Sequence, residues 1–148
     1  MPRDIDFTWA QLEGSDLIWM AFLVIIAVMP LANAARNRDS IALGMVLSII
    51  LVHFVQFFLS YFESTLDFYT VDIFSVIQVL AEDPIHQHRI LTSAWLHADF
   101  IHVLGNALLI ALAGVPLEQR MGGKRWIAIY IIGLVGGCLL YTSPSPRD

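Results

Sequence analysis

The sequence predicts an all-α protein, a multi-pass bundle of transmembrane helices, and three observations carry that prediction. Hydrophobic residues make up 57% of the chain and charged residues only 14%, where soluble domains carry about a quarter charged. Mean hydropathy is +0.70. The apolar residues also gather into uninterrupted runs near the roughly 20 residues that a helix needs to cross a bilayer core. So apolar a chain has too little polar surface to cover a water-soluble globule.

Residues 17–35 form the first uncharged run, with Pro30 near its far end as an expected kink. Arg36, Asn37, Arg38 and Asp39 then make a short charged turn. Residues 41–62 are the second run, without a charge but containing His53 and Gln56 one turn apart. Polar groups in a span are costly to expose to lipid, so both are expected to face the bundle. Residues 63–90 are acidic, locally amphipathic and broken by Pro84, and read as a long loop with a short helix at the membrane surface. The third span is expected at 100–117, N-capped by the carboxylate of Asp99 and ended by Pro116 and the Gly122-Gly123 pair. A fourth apolar stretch begins at Trp126, with Gly133 and Gly137 in a G-x-x-x-G spacing that permits close helix packing.

Loop charges orient these spans. Arg36 and Arg38 lie in the first turn, and Arg120, Lys124 and Arg125 precede the fourth stretch, whereas the N-terminal segment has only Arg3 and the long loop only Arg89. Cytoplasmic loops carry the excess of Lys and Arg. The expected product is an integral protein of the cell membrane with its N-terminus and long loop outside. The net charge of −5 comes from scattered acids, and no basic run suggests nucleic-acid binding. One cysteine cannot form an internal disulfide, and neither a cofactor nor a metal is expected.

The tail, residues 138–148, reads CLLYTSPSPRD, an abrupt change from apolar helix to Ser/Pro sequence. The end of a transposase library adapter encodes this string in one frame. From Trp126 to Gly137 there are twelve residues, only about 18 Å of helix. The expected organisation is therefore an N-terminal segment with an extra span (1–40), the N-terminal part of a membrane domain (41–137), and a non-native read-through tail (138–148). The chain is expected to stop after about four spans.

Chemistry concentrates between Leu91 and Gly123. His102 and Asn106 are four apart, hence on one face of the third helix. Donors near a helix N-terminus, with the positive end of the dipole behind them, suit an oxyanion that develops during a reaction. The plain alternative is an interhelical hydrogen-bonding pair worth about 1 kcal/mol each. His97 is expected to anchor the preceding loop to the helix top. His97 and His102 are about 140° apart round a helix and no carboxylate completes a metal site with them. His86 and His88 read as solvated loop residues. Glu118 falls near a helix C-terminus, where the dipole disfavours an acid, so a specific partner such as loop amides or an arginine is expected.

The segment LTSAWLHADFIHVLGNALLIALAGVPLEQRMGG resembles the second core helix of the rhomboid family of intramembrane serine proteases. The family's upstream histidine, its His-x-x-x-Asn pair and its cytoplasmic Gly, Glu and Gly correspond to His97, His102, Asn106, Gly114, Glu118 and Gly122. The agreement covers residues 91–137, about a third of the chain. The resemblance implies a six-helix core preceded here by one extra span, serine endopeptidase activity on transmembrane substrates, and an oxyanion role for His102 and Asn106. The family's nucleophile, a serine in Gly-x-Ser-Gly, and its base, a histidine on a later helix, have no counterpart in this chain. Ser143 and Ser145 are flanked by prolines in the tail and are not candidates. The chain itself is therefore expected to be inert, and the competing expectation is a pseudoprotease that binds membrane proteins without cutting them.

Overall fold

Pro30, Pro116 and the glycines punctuate an otherwise apolar sequence, and the computed structural model, which describes residues 14–61, 93–97 and 99–142, shows how the helices accommodate them. Among the described residues all regular structure is helical. Helix α1 spans Gly14–Asn37, α2 spans Ile41–Tyr61, a 3-10 turn covers Ser93–Trp95, α3 spans Phe100–Met121 and α4 spans Gly123–Thr142. The surface helix expected in the long loop, His86, His88, Ser143 and Ser145 lie outside the described residues.

Among the described residues two helices, Ile41–Phe58 within α2 and Phe100–Met121, are long and apolar enough to cross a membrane, whereas the apolar part of α1, Ala21–Asn37, is shorter. Only 17% of the α3 span is buried, against 44% of the α2 window. A core helix of a soluble protein would be mostly covered. Instead Ile101, Leu104, Leu108, Leu109 and Leu112 of α3 are exposed, as are Phe22, Val24, Ile25, Val28 and Met29 of α1. Such contiguous apolar faces suit lipid as their solvent.

α2 is the central helix. Its Ala42, Met45 and Ile49 join Val103 and Ala107 of α3 and Trp126 of α4 in one buried cluster. Lipid tails are as apolar as these side chains, so close van der Waals contact and hydrogen bonds hold such helices together. α1 approaches α2 at Gly44, where an added Cβ would lie 3.0 Å from the Ala34 Cβ and 3.1 Å from the Pro30 carbonyl oxygen. Ser48 is fully buried on the same helix. Its hydroxyl donates to the Ala27 carbonyl of α1 at 2.5 Å and accepts from the Trp95 indole at 2.8 Å. One serine thus joins α1, α2 and the 3-10 turn.

The turn between α1 and α2 is as short as the sequence indicates. Arg38 takes a left-handed φ of 61°, and the Asp39 N–H returns to the Ala34 carbonyl at 2.9 Å, the six-to-one bond of a Schellman ending. Pro30 lies inside α1 without interrupting it.

Asp99 caps α3 as its sequence position implies, accepting from the His102 N–H at 2.8 Å. Pro116 does not end the helix. It cannot donate to the carbonyl four residues back and its ring needs room there. The backbone widens into a π turn over Ile110–Gly114, in which the Val115 N–H bonds to the Ile110 carbonyl. The helix then continues to Met121 and stops at Gly122, whose φ of 85° is open to glycine at little cost. α4 does not stop at Gly137 but carries on to Thr142. The G-x-x-x-G spacing brings no neighbour to Gly133, beside which a Cβ would meet open space.

Glu118 fastens the other end of the bundle. It is buried at 8% exposure, and its carboxylate accepts from the Ser40 hydroxyl at 2.6 Å, the Ile41 N–H at 2.8 Å and the Ala42 N–H at 2.9 Å. Ser40 in turn accepts from the Leu43 N–H at 3.2 Å. The partners are therefore the first amides of α2 rather than an arginine. They are donors that a helix leaves unpaired, at the end whose dipole favours an acid. We expect Glu118→Ala to cost about 3 kcal/mol, because each orphaned buried group costs roughly 1–3 kcal/mol. The thermal midpoint of helicity in neutral detergent checks this, and a midpoint unchanged from wild type would show that the cap is dispensable.

Candidate functional site

A chain of polar contacts crosses from α2 to α3 at the end of the bundle opposite Glu118. His97 lies between the 3-10 turn and α3 and is 4% exposed. Its Nδ1 is 3.2 Å from the Trp95 carbonyl oxygen, and its Nε2 is 2.9 Å from Nδ2 of Asn106. A carbonyl only accepts, so Nδ1 carries the proton, and Nε2 is left to accept from the Asn106 amide. His97 is thus a neutral imidazole of defined tautomer. Its backbone N–H makes a longer contact, 3.4 Å, with Oε1 of Gln56. Burial pushes the His97 pKa below its ordinary value, the Trp95 carbonyl opposes that shift, and the neighbouring His102 and His53 reinforce it.

Asn106 is half-buried on α3, and one of its amide protons is committed to His97. The second proton and the carbonyl oxygen keep their capacity. His102 is exposed one turn nearer the helix start, its ring edge-on to that of His97 with centroids 5.1 Å apart. The structure therefore gathers His97, His102 and Asn106 at the capped end of α3. His97 anchors its loop to the helix as the sequence implies, and it does so through Asn106 itself. Chemically, the cluster offers amide and imidazole N–H donors beside the positive end of a helix dipole, a setting for an anion.

Gln56 faces the bundle at 8% exposure. His53 is partly buried with its ring 6.5 Å from that of Phe100, and its Nδ1 is buried without a hydrogen-bond partner among the described residues. Sequence reasoning passed over Ser48 and Trp95, although a serine within an apolar run and a tryptophan just before a helix cap are each a usable signal. Among the serine side chains described, Ser48 is committed to Ala27 and Trp95, and Ser40 serves the far end of the bundle. Neither stands beside His102 and Asn106 as a nucleophile.

The pH dependence follows from the direction of the His97 shift. A base with a lowered folded pKa binds protons more weakly in the folded than in the unfolded state, so stability rises with pH through the shifted window. Docking of the loop is fully present above pH 6.5, the ordinary value, and is lost as pH falls below it. Thermal midpoints measured between pH 5 and 8 should drop on the acid side, and His97→Gln should flatten that slope. A slope unchanged in the variant would assign the dependence to another group.

A family model of the Rhomboid domain matches residues 85–148. RHOMBOID-like protein 2 of Arabidopsis thaliana is 42% identical over 59 residues, 38% of this chain and 19% of that protein. RHOMBOID-like protein 7 of the same plant is 44% identical over 52 residues, 35% of this chain and 17% of that protein. Inactive RHOMBOID-like protein 8 is 37% identical over 51 residues, 34% of this chain and 14% of that protein. The chain thus spans about a fifth or less of the length of these curated relatives. No solved structure matches. Residues 85–148, which run through the capped helix α3, are thus similar to the Rhomboid domain, in a chain whose described residues form a helical bundle with two spans of membrane length.

Proposed function

We propose that this chain is the N-terminal part of a rhomboid-type intramembrane serine endopeptidase acting on transmembrane protein substrates, with His102 and Asn106 as oxyanion donors. The single observation that carries the reading is the 2.9 Å contact by which buried His97 fixes the amide of Asn106. A donor that stabilises a transient anion must be held in place before the charge develops, and Asn106 is held by a neighbour of fixed tautomer. An interhelical glue would join Asn106 to another span, whereas here its partner His97 belongs to the adjoining loop.

A serine protease also needs a nucleophile and a base, and Gly-x-Ser-Gly is absent from the sequence. The 148-residue chain is therefore inert by this reading, and the dyad belongs to the whole protein. The second reading, a pseudoprotease that binds membrane proteins without cutting them, draws its support from the similarity to a relative named inactive. The proposed orientation places the N-terminus and His102 outside the cell and the two basic turns in the cytoplasm.

In the whole protein, Asn106→Ala should lower kcat on a fluorogenic transmembrane substrate by about 10²-fold, the cost of one oxyanion donor in a serine protease. His102→Ala should act in the same direction. Both variants should retain the wild-type thermal midpoint to within the effect of about 1 kcal/mol. Reduced folding with a wild-type turnover rate in the folded fraction would make both residues structural, and no cleavage by the whole protein would favour the pseudoprotease.

Orientation has its own test. Tags at the N-terminus and near Thr70 should be reached from outside intact cells, and a tag beside Gly122 only after permeabilisation. The opposite pattern would reverse the assignment.

A further inference from the structure

Two turns that are far apart in sequence meet at the Glu118 end of the bundle and border an open cleft of about 460 Å³, within the range of ligand pockets, roughly 300–1,000 Å³. Its lining includes Arg38, Asp39, Ser40, Glu118, Gln119 and Lys124. We infer that this cavity binds the phosphate-bearing headgroup of an anionic phospholipid. The inference rests on the membrane reading of the chain and goes beyond its proposed chemistry.

Three observations converge on the assignment. The first is charge. The turns carry Arg36, Arg38, Arg120, Lys124 and Arg125 against two acids, Asp39 and Glu118, and all five cations are exposed. Glu118 is already engaged by the Ser40 hydroxyl and two amides of α2, which leaves Asp39 as the acid facing the cations. None of the five cations is ion-paired within the described residues. The second is depth. The α2 span begins at Ile41 and the α3 span ends at Met121, so residues 38–40 and 118–124 lie where hydrocarbon gives way to headgroups. The third is shape. The open cleft is formed by the ends of neighbouring helices, and basic pockets between spans on the cytoplasmic side suit lipid headgroups. A phosphate there would meet the Arg38 guanidinium from one turn and the Lys124 ammonium from the other. Cytoplasmic leaflets supply such anionic lipids, and cations near that surface attract them.

The test uses the full 148-residue chain in phosphatidylcholine micelles, with native mass spectrometry reading the binding of added phosphatidylglycerol or added phosphatidylcholine. Wild type should retain phosphatidylglycerol selectively. The double variant Arg38→Gln/Lys124→Gln should lose about tenfold in that selectivity, while Arg36→Gln/Arg125→Gln, outside the lining, should lose less than twofold. Circular dichroism confirms that each variant keeps its helicity. Equal losses in the two double variants would mean a diffuse surface field and overturn the site, as would wild-type binding with no preference for phosphatidylglycerol. Inorganic phosphate bound as tightly as the lipid would make it a free-anion site and overturn the lipid assignment. Failure of the wild-type chain to partition into phosphatidylcholine vesicles would overturn the membrane reading itself, an outcome separate from insertion without lipid preference.

Discussion

Glu118 settles a problem that a helical membrane protein meets at each end of each span. The first amides of α2 have no acceptor within their own helix, and at the edge of hydrocarbon an unpaired amide is costly. A carboxylate from a helix 77 residues further along accepts the Ile41 N–H. It also accepts the Ala42 N–H and the Ser40 hydroxyl. The acid sits at the wrong end of its own helix and the right end of its neighbour's, so the dipole of α2 offsets the disfavour of the α3 terminus. The register between the two spans follows from that attachment. Gly123 follows from it as well, since a Cβ there would lie 2.9 Å from Oε1 of Glu118 and 2.6 Å from Cδ1 of Ile41.

With the spans held at one end, the opposite end can present a polar cluster without losing its geometry. α2 reaches the 3-10 turn through Ser48 and Trp95, and Gln56 lies against the backbone of His97. His97 then fixes the Asn106 amide. Each of these groups would be expensive in lipid, and each is paid for by a partner on a different element. Polar contacts therefore specify the arrangement, while the exposed leucines, isoleucines and phenylalanines leave the outer faces free to meet the bilayer. The two ends divide the labour: a charged, buried clamp sets register, and a neutral, partly exposed cluster offers donors.

Much of this was legible from residue spacing. Asp99 before an apolar run marked the start of α3, the polar pair at 102 and 106 had to share a face, and an acid near a helix C-terminus required a partner. Pro116 misled, because a proline in isolation reads as a stop. Whether it ends a helix or widens it depends on whether the turn before it can open, and the turn Ile110–Gly114 does. The glycine spacing at 133 and 137 permits close packing but does not by itself supply a neighbour, and among the described residues a Cβ at Gly133 would meet none.

Composition and periodicity by themselves determined the class of molecule, the positions of its apolar helices and the residue types that carry chemistry, because the bilayer imposes length and apolarity on every span. The resemblance of residues 91–137 to the rhomboid family falls on the same segment that the Rhomboid-domain match covers, 85–148. Which groups pair was decided only by the tertiary structure. Local sequence cannot say that Glu118 meets Ser40, that Ser48 meets Trp95 or that His97 accepts a hydrogen bond from Asn106, since these contacts bridge separate elements and depend on the angle and depth at which the helices meet. The cavity between the two basic turns belongs to the same category. The sequence placed the cations in two loops, and packing of α2 against α3 brought those loops to one end of the bundle.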